Sequence, residues 1–453
     1  MKSHDHFFGR LEGFAVNEKN HLTLNSLDLV QLAQLSDRPL YVLNELVIRK
    51  NIRAYRQALS TYYPAESHIF YASKVFLNLG MCYLLNQEHT GLDVCSEGEL
   101  FIANQTDFPH EKIIFHGNNK SQSELEKAID ANIFAIMVDN ACELEDILKI
   151  SESKNAITNV MIRINPVVEV DTHAYIATGV RESKFGVPID DPSTWSLIEL
   201  AFKSPFIHFK GIHFHLGSQI TELTAYSQAI KKIISYIKRL HDKCIHVEAL
   251  NIGGGLGAPY TIADQSLSID GFIKELCQGI CEEYQLNNLE LPKLMIEPGR
   301  SIIASAGCTL YKIGHIKGDR SEILYAPVNG GMSDNLRPSL YQAEYSAAIA
   351  NKMNWDGPTQ KYKIVGKCCE TGDVLIQKIT LPQCSPGDVL VMFVTGAYQH
   401  ALASNYNKHT LPGVLLVRDG AYEWLTKEQP YSDLIQHDLV PLHLRGRDKN
   451  LND

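Results

Sequence analysis

Between residues 40 and 300 the chain repeats one pattern: a short apolar run closes on polar or glycine residues, and a longer amphipathic stretch follows. The runs are HIFYA, GLDVC, KIIFH, FAIMV, VMIRIN, KGIHFH, VEALNI and KLMIE, eight in all. Spacers such as NACELEDILKI and YSQAIKKIISYIKRL carry apolar residues at helical spacing. Strands alternating with helices imply parallel strands with helical crossovers. Eight such units over about 250 residues match the size of a (β/α)8 barrel. A doubly wound open sheet would use the same alternation. After Glu297–Arg300 the texture changes: SIIASAGCTLYKIGHIKG, SEILYAPVNGG, QKYKIVGKCC, GDVLVMFVTGAY and GVLLVRDGAYEWL read as β runs separated by turns. The expected α/β organisation is a barrel over 41–300 and a C-terminal β domain over 301–453, with the segment 1–40 pairing into the latter.

In such barrels the chemistry sits at the C-terminal ends of the strands. Those ends carry Lys74, Asp93, Asn118, Asp139, Arg163, His215, the run Gly253-Gly254-Gly255, and Glu297. Lys74, in HIFYASKVF, is either a lysine that snorkels to solvent or a desolvated amine whose lowered pKa suits Schiff-base chemistry. In NIGGGLGAPY the glycines let backbone approach an anion, and a helix start after them would add its positive end. The same run half-matches the dinucleotide fingerprint as Gly253-x-Gly255-x-x-Ala258; a plain tight turn explains it equally. Glu297 can hold the protonated nitrogen of a pyridine ring, with Arg163 on the ring's oxygen side. A phosphate site, a pyridinium partner and an amine are together what pyridoxal phosphate requires.

A rival reading rests on His213 and His215, two apart in a strand and therefore on one side of it. Such a pair suits a metal-dependent barrel hydrolase, though a core histidine bonded to backbone is the plainer alternative for His213. Beyond the barrel, Arg337 and Tyr341 stand four apart, able to bind a carboxylate together. Cys369 adjoins Glu370, and Tyr398 offers a hydroxyl to a phosphate.

A net charge of −10 without a long basic run argues against nucleic-acid binding. No apolar run approaches the roughly 18 residues of a membrane span, and MKSHDHFFGRLEGF lacks the apolar segment of a signal peptide. Ten cysteines without zinc-type pairs fit reduced thiols in the cytoplasm.

The stretches YASKVF, GLDVCSEGEL, GNNKS, HAYIATGVRESKFG, HFHLGSQI, NIGGGLG, EPGRSI, GMSDNLRPSLYQAEY, CCETGD and GAYQHALASNYN run in order over about residues 40 to 410. In them the chain resembles the fold-type III pyridoxal-phosphate decarboxylases, whose fold is a (β/α)8 barrel followed by a β domain. The branch with most of these matches acts on meso-2,6-diaminopimelate, giving lysine and CO2. Relatives act on ornithine, arginine, carrier-bound glutamate or siderophore intermediates; a non-catalytic single-barrel carrier would lack CCETGD. The resemblance implies that Lys74 holds pyridoxal 5'-phosphate as a Schiff base and that His215 stacks on its ring. Gly253 to Gly255, Arg300 and Tyr398 would hold the phosphate, with Ser218 nearby and Asp93, Arg163 and Gly299 in the same pocket. Glu297 would keep the pyridine nitrogen protonated. Arg300, Arg337 and Tyr341, beside Tyr398, would bind the distal carboxylate of the substrate and Glu370 its distal amine. Cys369 would deliver a proton to Cα. In this family Cys369 and Glu370 come from the second subunit of a homodimer. The chain departs from the family pattern at Asn329, where aspartate is usual, and Glu97, where glycine is common.

Overall fold

The computed structural model describes residues 5–168, 183–265, 267–319 and 323–445. All eight apolar runs are parallel strands of one closed sheet: Ser67–Ala72, Gly91–Val94, Ile113–Phe115, Ala135–Val138, Thr158–Asn165, Ile207–His213, Ala249–Asn251 and Lys293–Ile296. Each pairs with its sequence neighbour, and the eighth pairs with the first through Ile296 and Ile69. Closure excludes the open-sheet alternative and leaves no barrel edge unpaired.

The barrel is filled rather than hollow. Phe70, Ile114, Ala135, Met137, Met161, Ala249 and Met295 form an inner cluster, while the outward strand residues meet the apolar faces of the helices. Each such side chain contributes roughly 1.5–3 kcal/mol on burial. The helices start where the sequence supplies a side-chain oxygen for the first free N–H groups: Asn44, Asn78, Ser96, Asn140 and Ser268 each cap one. Ser121 and Glu124 make a reciprocal capping box. The side chain of Lys120 is buried and fastens two strand ends, donating to Gly117 O (2.8 Å), Met137 O (2.7 Å) and Glu143 Oε1 (2.5 Å).

The strand Leu40–Asn44 lies inside a six-stranded sheet, between Gly307–Lys312 and Gly413–Arg418. Asn44 then caps the helix Glu45–Tyr62, so the chain passes through the β region before it enters the barrel. Leu324–Pro327, Thr359–Val365 and Val374–Pro382 form a separate three-stranded sheet. So do Phe14–Val16, Leu22–Leu24 and Leu27–Asp28, with Leu22 N–H donating to Ala350 O (2.8 Å). No helix among the described residues is long and apolar enough to cross a membrane, and none of the ten cysteines is paired.

The sixth strand carries the device that aims the site. Its register against the fifth shifts between Phe209 and Gly211, and Gly211 has φ +152°. A Cβ there would be driven into the carbonyl oxygen of Ala249 on the seventh strand. Bulges of this kind turn the following side chains, here His213 and His215. Gly211→Ala should therefore cost about 2 kcal/mol or more and lower the melting temperature by roughly 2 °C or more. An unchanged melting curve would mean that the strand relaxes freely and that the bulge constrains nothing.

Candidate active site

Glu297 follows the eighth strand and is buried at the barrel mouth. Its Oε1 accepts from His116 Nε2 (2.8 Å) and Asn251 Nδ2 (2.7 Å), and its Oε2 accepts a longer bond from His213 Nε2 (3.3 Å). Burial alone would raise its pKa; the imidazoles of His116 and His213 more than reverse this and hold it well below the usual carboxylate range. Burial takes His213 down to about 3 against the pull of Glu297, so that imidazole is neutral. Glu297 thus stays a carboxylate with spare acceptor capacity on Oε2. His116, His213 and Glu297 each offer one ligand atom within 4.8 Å of the others, a set that can also hold a metal. His215 is not among them: its Nδ1 accepts from Gly254 N–H (3.3 Å), so the two histidines of the HxH pair part company. The sequence reading placed Asn118 at the third strand end, but the strand stops at Phe115 and His116 takes that place.

Lys74 lies one short turn beyond the first strand, exposed to the mouth. The expected lowering of its pKa does not occur. Burial would lower it, but the acidic side chains of Cys95, Tyr398, Asp93 and Glu297 raise it above its ordinary value. Asp93 is buried and shifted up, by burial first, and Cys95 points its thiol at Asp93 Oδ1 (3.7 Å). Arg163 is buried too, its guanidinium 4.4 Å over the ring of Phe185; burial lowers its pKa against the pull of Asp139, Glu297 and Asp93.

The glycine run is dictated by close approach. Gly253 has φ +69° and its bare Cα packs on the His215 imidazole, while Gly254 presses on Glu297 O. The helix expected directly after the run is absent; the next one begins at Ile269, capped by Ser268. Gly299 lies against the side chains of Val75 and Ala72.

A cavity of about 340 Å³ opens beside this centre, lined by residues including Ser218, Tyr260, Arg300, Arg337, Tyr341 and Tyr398. Arg300 donates to Ser218 Oγ from Nη2 (2.9 Å) and Nε (3.2 Å), bonds the Tyr260 hydroxyl, and stands 4.8 Å over the Tyr398 ring. Arg337, buried at the start of the short helix Arg337–Tyr341, donates to the Tyr345 hydroxyl. Among the described residues no carboxylate pairs with either guanidinium. Tyr398 enters from the β region with φ +72°, and its N–H donates to Val75 O (2.8 Å), next to Lys74.

Cys369 and Glu370 sit on an exposed turn and do not line that cavity. Cys369 N–H donates to Asn407 Oδ1 (2.8 Å), and Glu370 accepts from the Tyr406 hydroxyl. Of HAYIATGVRESKFG, residues 173–182 lie outside the described residues. Asn329 bonds Lys312 N and Asp37 O, the second through an N–H that aspartate lacks, and Glu97 pairs with Lys127 on a helix surface. Sequence reasoning missed His116, Asn251, Tyr260 and Tyr345. His116 and Asn251 stand at strand ends and were legible there; the tyrosines lie in loops without a periodic signal.

Residues 46–304 match the family profile described as pyridoxal-dependent decarboxylase, pyridoxal binding domain. The chain is 39% identical over 425 residues to the diaminopimelate decarboxylase of Halalkalibacterium halodurans, covering 94% of this chain and 96% of that one. It is 39% identical to that of Bacillus subtilis over 427 residues, covering 93% and 96%. The crystal structure of diaminopimelate decarboxylase from M. jannaschii in complex with L-lysine superposes with a TM-score of 0.88 at 32% identity, covering 96% of this chain and 99% of that one. A barrel with an amine and a buried carboxylate at its mouth, full-length relatives of one kind and a matching profile agree: the chain belongs to the pyridoxal-dependent decarboxylase family.

Proposed function

We propose that the chain decarboxylates meso-2,6-diaminopimelate to L-lysine and CO2 with pyridoxal 5'-phosphate as cofactor. The observation that carries the substrate is the pair of buried guanidiniums, Arg300 and Arg337, in one cavity beside Lys74 and, among the described residues, without a carboxylate of their own. Two such cations favour a substrate that brings a second carboxylate and disfavour a terminal ammonium, which speaks against ornithine or arginine.

The residues fit the cofactor. Lys74 supplies an amine just past the first strand, Glu297 an anion with an underused oxygen just past the eighth, and these strands pair. When bound, pyridoxal phosphate supplies a ring that accepts the electron pair left by departing CO2. Glu297 holds a proton on the ring nitrogen, and His116 and Asn251 keep that carboxylate oriented. His215, whose Nδ1 accepts from Gly254 N–H, would cover one face of the ring. Ser218, Arg300, Tyr398 and the backbone of Gly253 to Gly255 would receive the phosphate, with Asp93, Arg163 and Gly299 in the same pocket. Arg337 and Tyr341 orient the distal carboxylate with Arg300. Cys369 returns a proton to Cα, and Glu370 accepts from the distal amine. We assign both to a second copy of the chain in a homodimer; their exposure on a turn away from the cavity supports this.

Borohydride reduction of the purified protein should fix the chromophore on the peptide that contains Lys74; label on any other peptide would overturn that assignment. Glu297→Gln should keep the chromophore and lose turnover by a factor of about 100 or more, the scale of about 3 kcal/mol for one preorganised charge. Turnover near wild type would remove the ring-nitrogen role. Equal amounts of Lys74→Ala and Cys369→Ala chains, each inactive alone, should on mixing recover about a quarter of wild-type activity. Half the dimers are then mixed, each with one intact site of two. No recovery, with subunit exchange demonstrated by mass, would mean that each chain completes its own site.

A further inference from the structure

Tyr260 stands between the two guanidiniums. Its hydroxyl accepts from Arg300 Nη1, and the Arg337 guanidinium lies 4.7 Å from the centre of its ring. Two buried like charges repel strongly where water is scarce, so something must hold them together before an anion arrives. Among the described residues lining the cavity, the acids are Asp264 and Glu344. Glu344 is exposed. Asp264 spends Oδ2 on the N–H groups of Tyr260 (2.7 Å) and Thr261 (2.9 Å). The phenol is left as the group that both cations face.

The surroundings of Tyr260 are built to keep it there. Asp264 fixes its N–H, and Ser346 N–H, from beside the C-terminal strand Ala347–Ile349, donates to its carbonyl (3.1 Å). Gln219 holds the preceding loop through both backbone groups of Ala258, at 2.7 and 3.2 Å. The Tyr345 ring meets that of Tyr260 edge-on at 5.2 Å. Tyr345 in turn accepts from Arg337 and gives its proton to the Gln399 amide oxygen. Burial alone would raise the pKa of Tyr260, yet Arg300 and Arg337 hold it below its ordinary value.

We propose that Tyr260 is a positioning residue for the substrate's distal carboxylate: its hydroxyl orients Arg300 and its ring face holds Arg337, so that the two cations meet that carboxylate together. This role rests on the diaminopimelate reading above. It makes the enzyme select for the end of the molecule that the reaction leaves intact. Lysine keeps that carboxylate, and 1,5-diaminopentane is the same skeleton without it, so the two compounds separate carboxylate recognition from everything else.

The test compares Tyr260→Phe with wild type as holoenzyme, using both compounds as competitive inhibitors. Losing one hydrogen bond to a charged group should weaken lysine about tenfold and leave 1,5-diaminopentane unchanged. The KM for diaminopimelate should rise by a similar factor, about tenfold, with kcat held within about threefold. Equal weakening of both inhibitors, no weakening of either, or a loss confined to kcat would overturn the proposal. Arg337→Gln is the control: if it does not weaken lysine, the carboxylate binds elsewhere, and the pocket reading falls together with the role of Tyr260. If Tyr260→Phe fails to fold, Tyr260→His keeps a ring and an acceptor. It should retain most of the preference for lysine over the diamine, and a preference abolished in a folded Tyr260→His holoenzyme would count against the role.

Discussion

One buried carboxylate constrains most of the barrel mouth. An isolated anion in such a place would cost several kcal/mol and would take up a proton instead. Glu297 escapes this because the third, sixth and seventh strands each bring one N–H donor to it: His116, His213 and Asn251. Those donors converge only in a closed barrel, since they come from strands on either side of the eighth. The anion then reaches outward: behind Cys95, Tyr398 and Asp93, it is among the groups that raise the pKa of Lys74. Fold closure and site electrostatics are therefore one constraint seen from two sides.

The β region completes what the barrel begins. The loop after the strand Val389–Phe393 is tied to its own sheet by Thr395 N–H on Gly307 O (2.9 Å) and docks on the barrel through Tyr398 N–H on Val75 O (2.8 Å). Gly396 allows the approach, because a Cβ there would run into Ile303 O. Val394 and Tyr398 take left-handed backbone at φ +59° and +72°; a β-branched or bulky residue pays for that conformation only where the surroundings over-determine it. Tyr398 is thereby placed on the same cavity as Arg300, which comes from the barrel, and Arg337, which does not.

The eight strands were legible because each apolar run has strand length and each spacer has helical period. Lys74 and Glu297 were legible because a barrel puts chemistry at strand ends. Three features were not. Asn118 stood in for His116 because His116 was counted inside the run KIIFH, whereas the strand stops at Phe115 and leaves His116 at its end. The helix start expected after the glycines of NIGGGLG is absent, and the close approach they allow is to protein: His215 and Glu297 O lie too close for a side chain. Tyr260 joins Arg300 across 40 residues, and Tyr345 reaches the same cluster from the other region, so no local pattern announces either. Cys369 and Glu370 are a different case: motif alone named them, and within one chain they remain on the surface.

The most direct test of the charge at Glu297 is the protonation of the cofactor's ring nitrogen in the resting enzyme. Pyridoxal phosphate labelled with nitrogen-15 in the ring, loaded into the wild-type protein, reports it through its chemical shift. A carboxylate held anionic by three N–H donors should keep that nitrogen protonated at neutral pH and well into the alkaline range. A deprotonated ring nitrogen at neutral pH in active enzyme would contradict the central role given to Glu297.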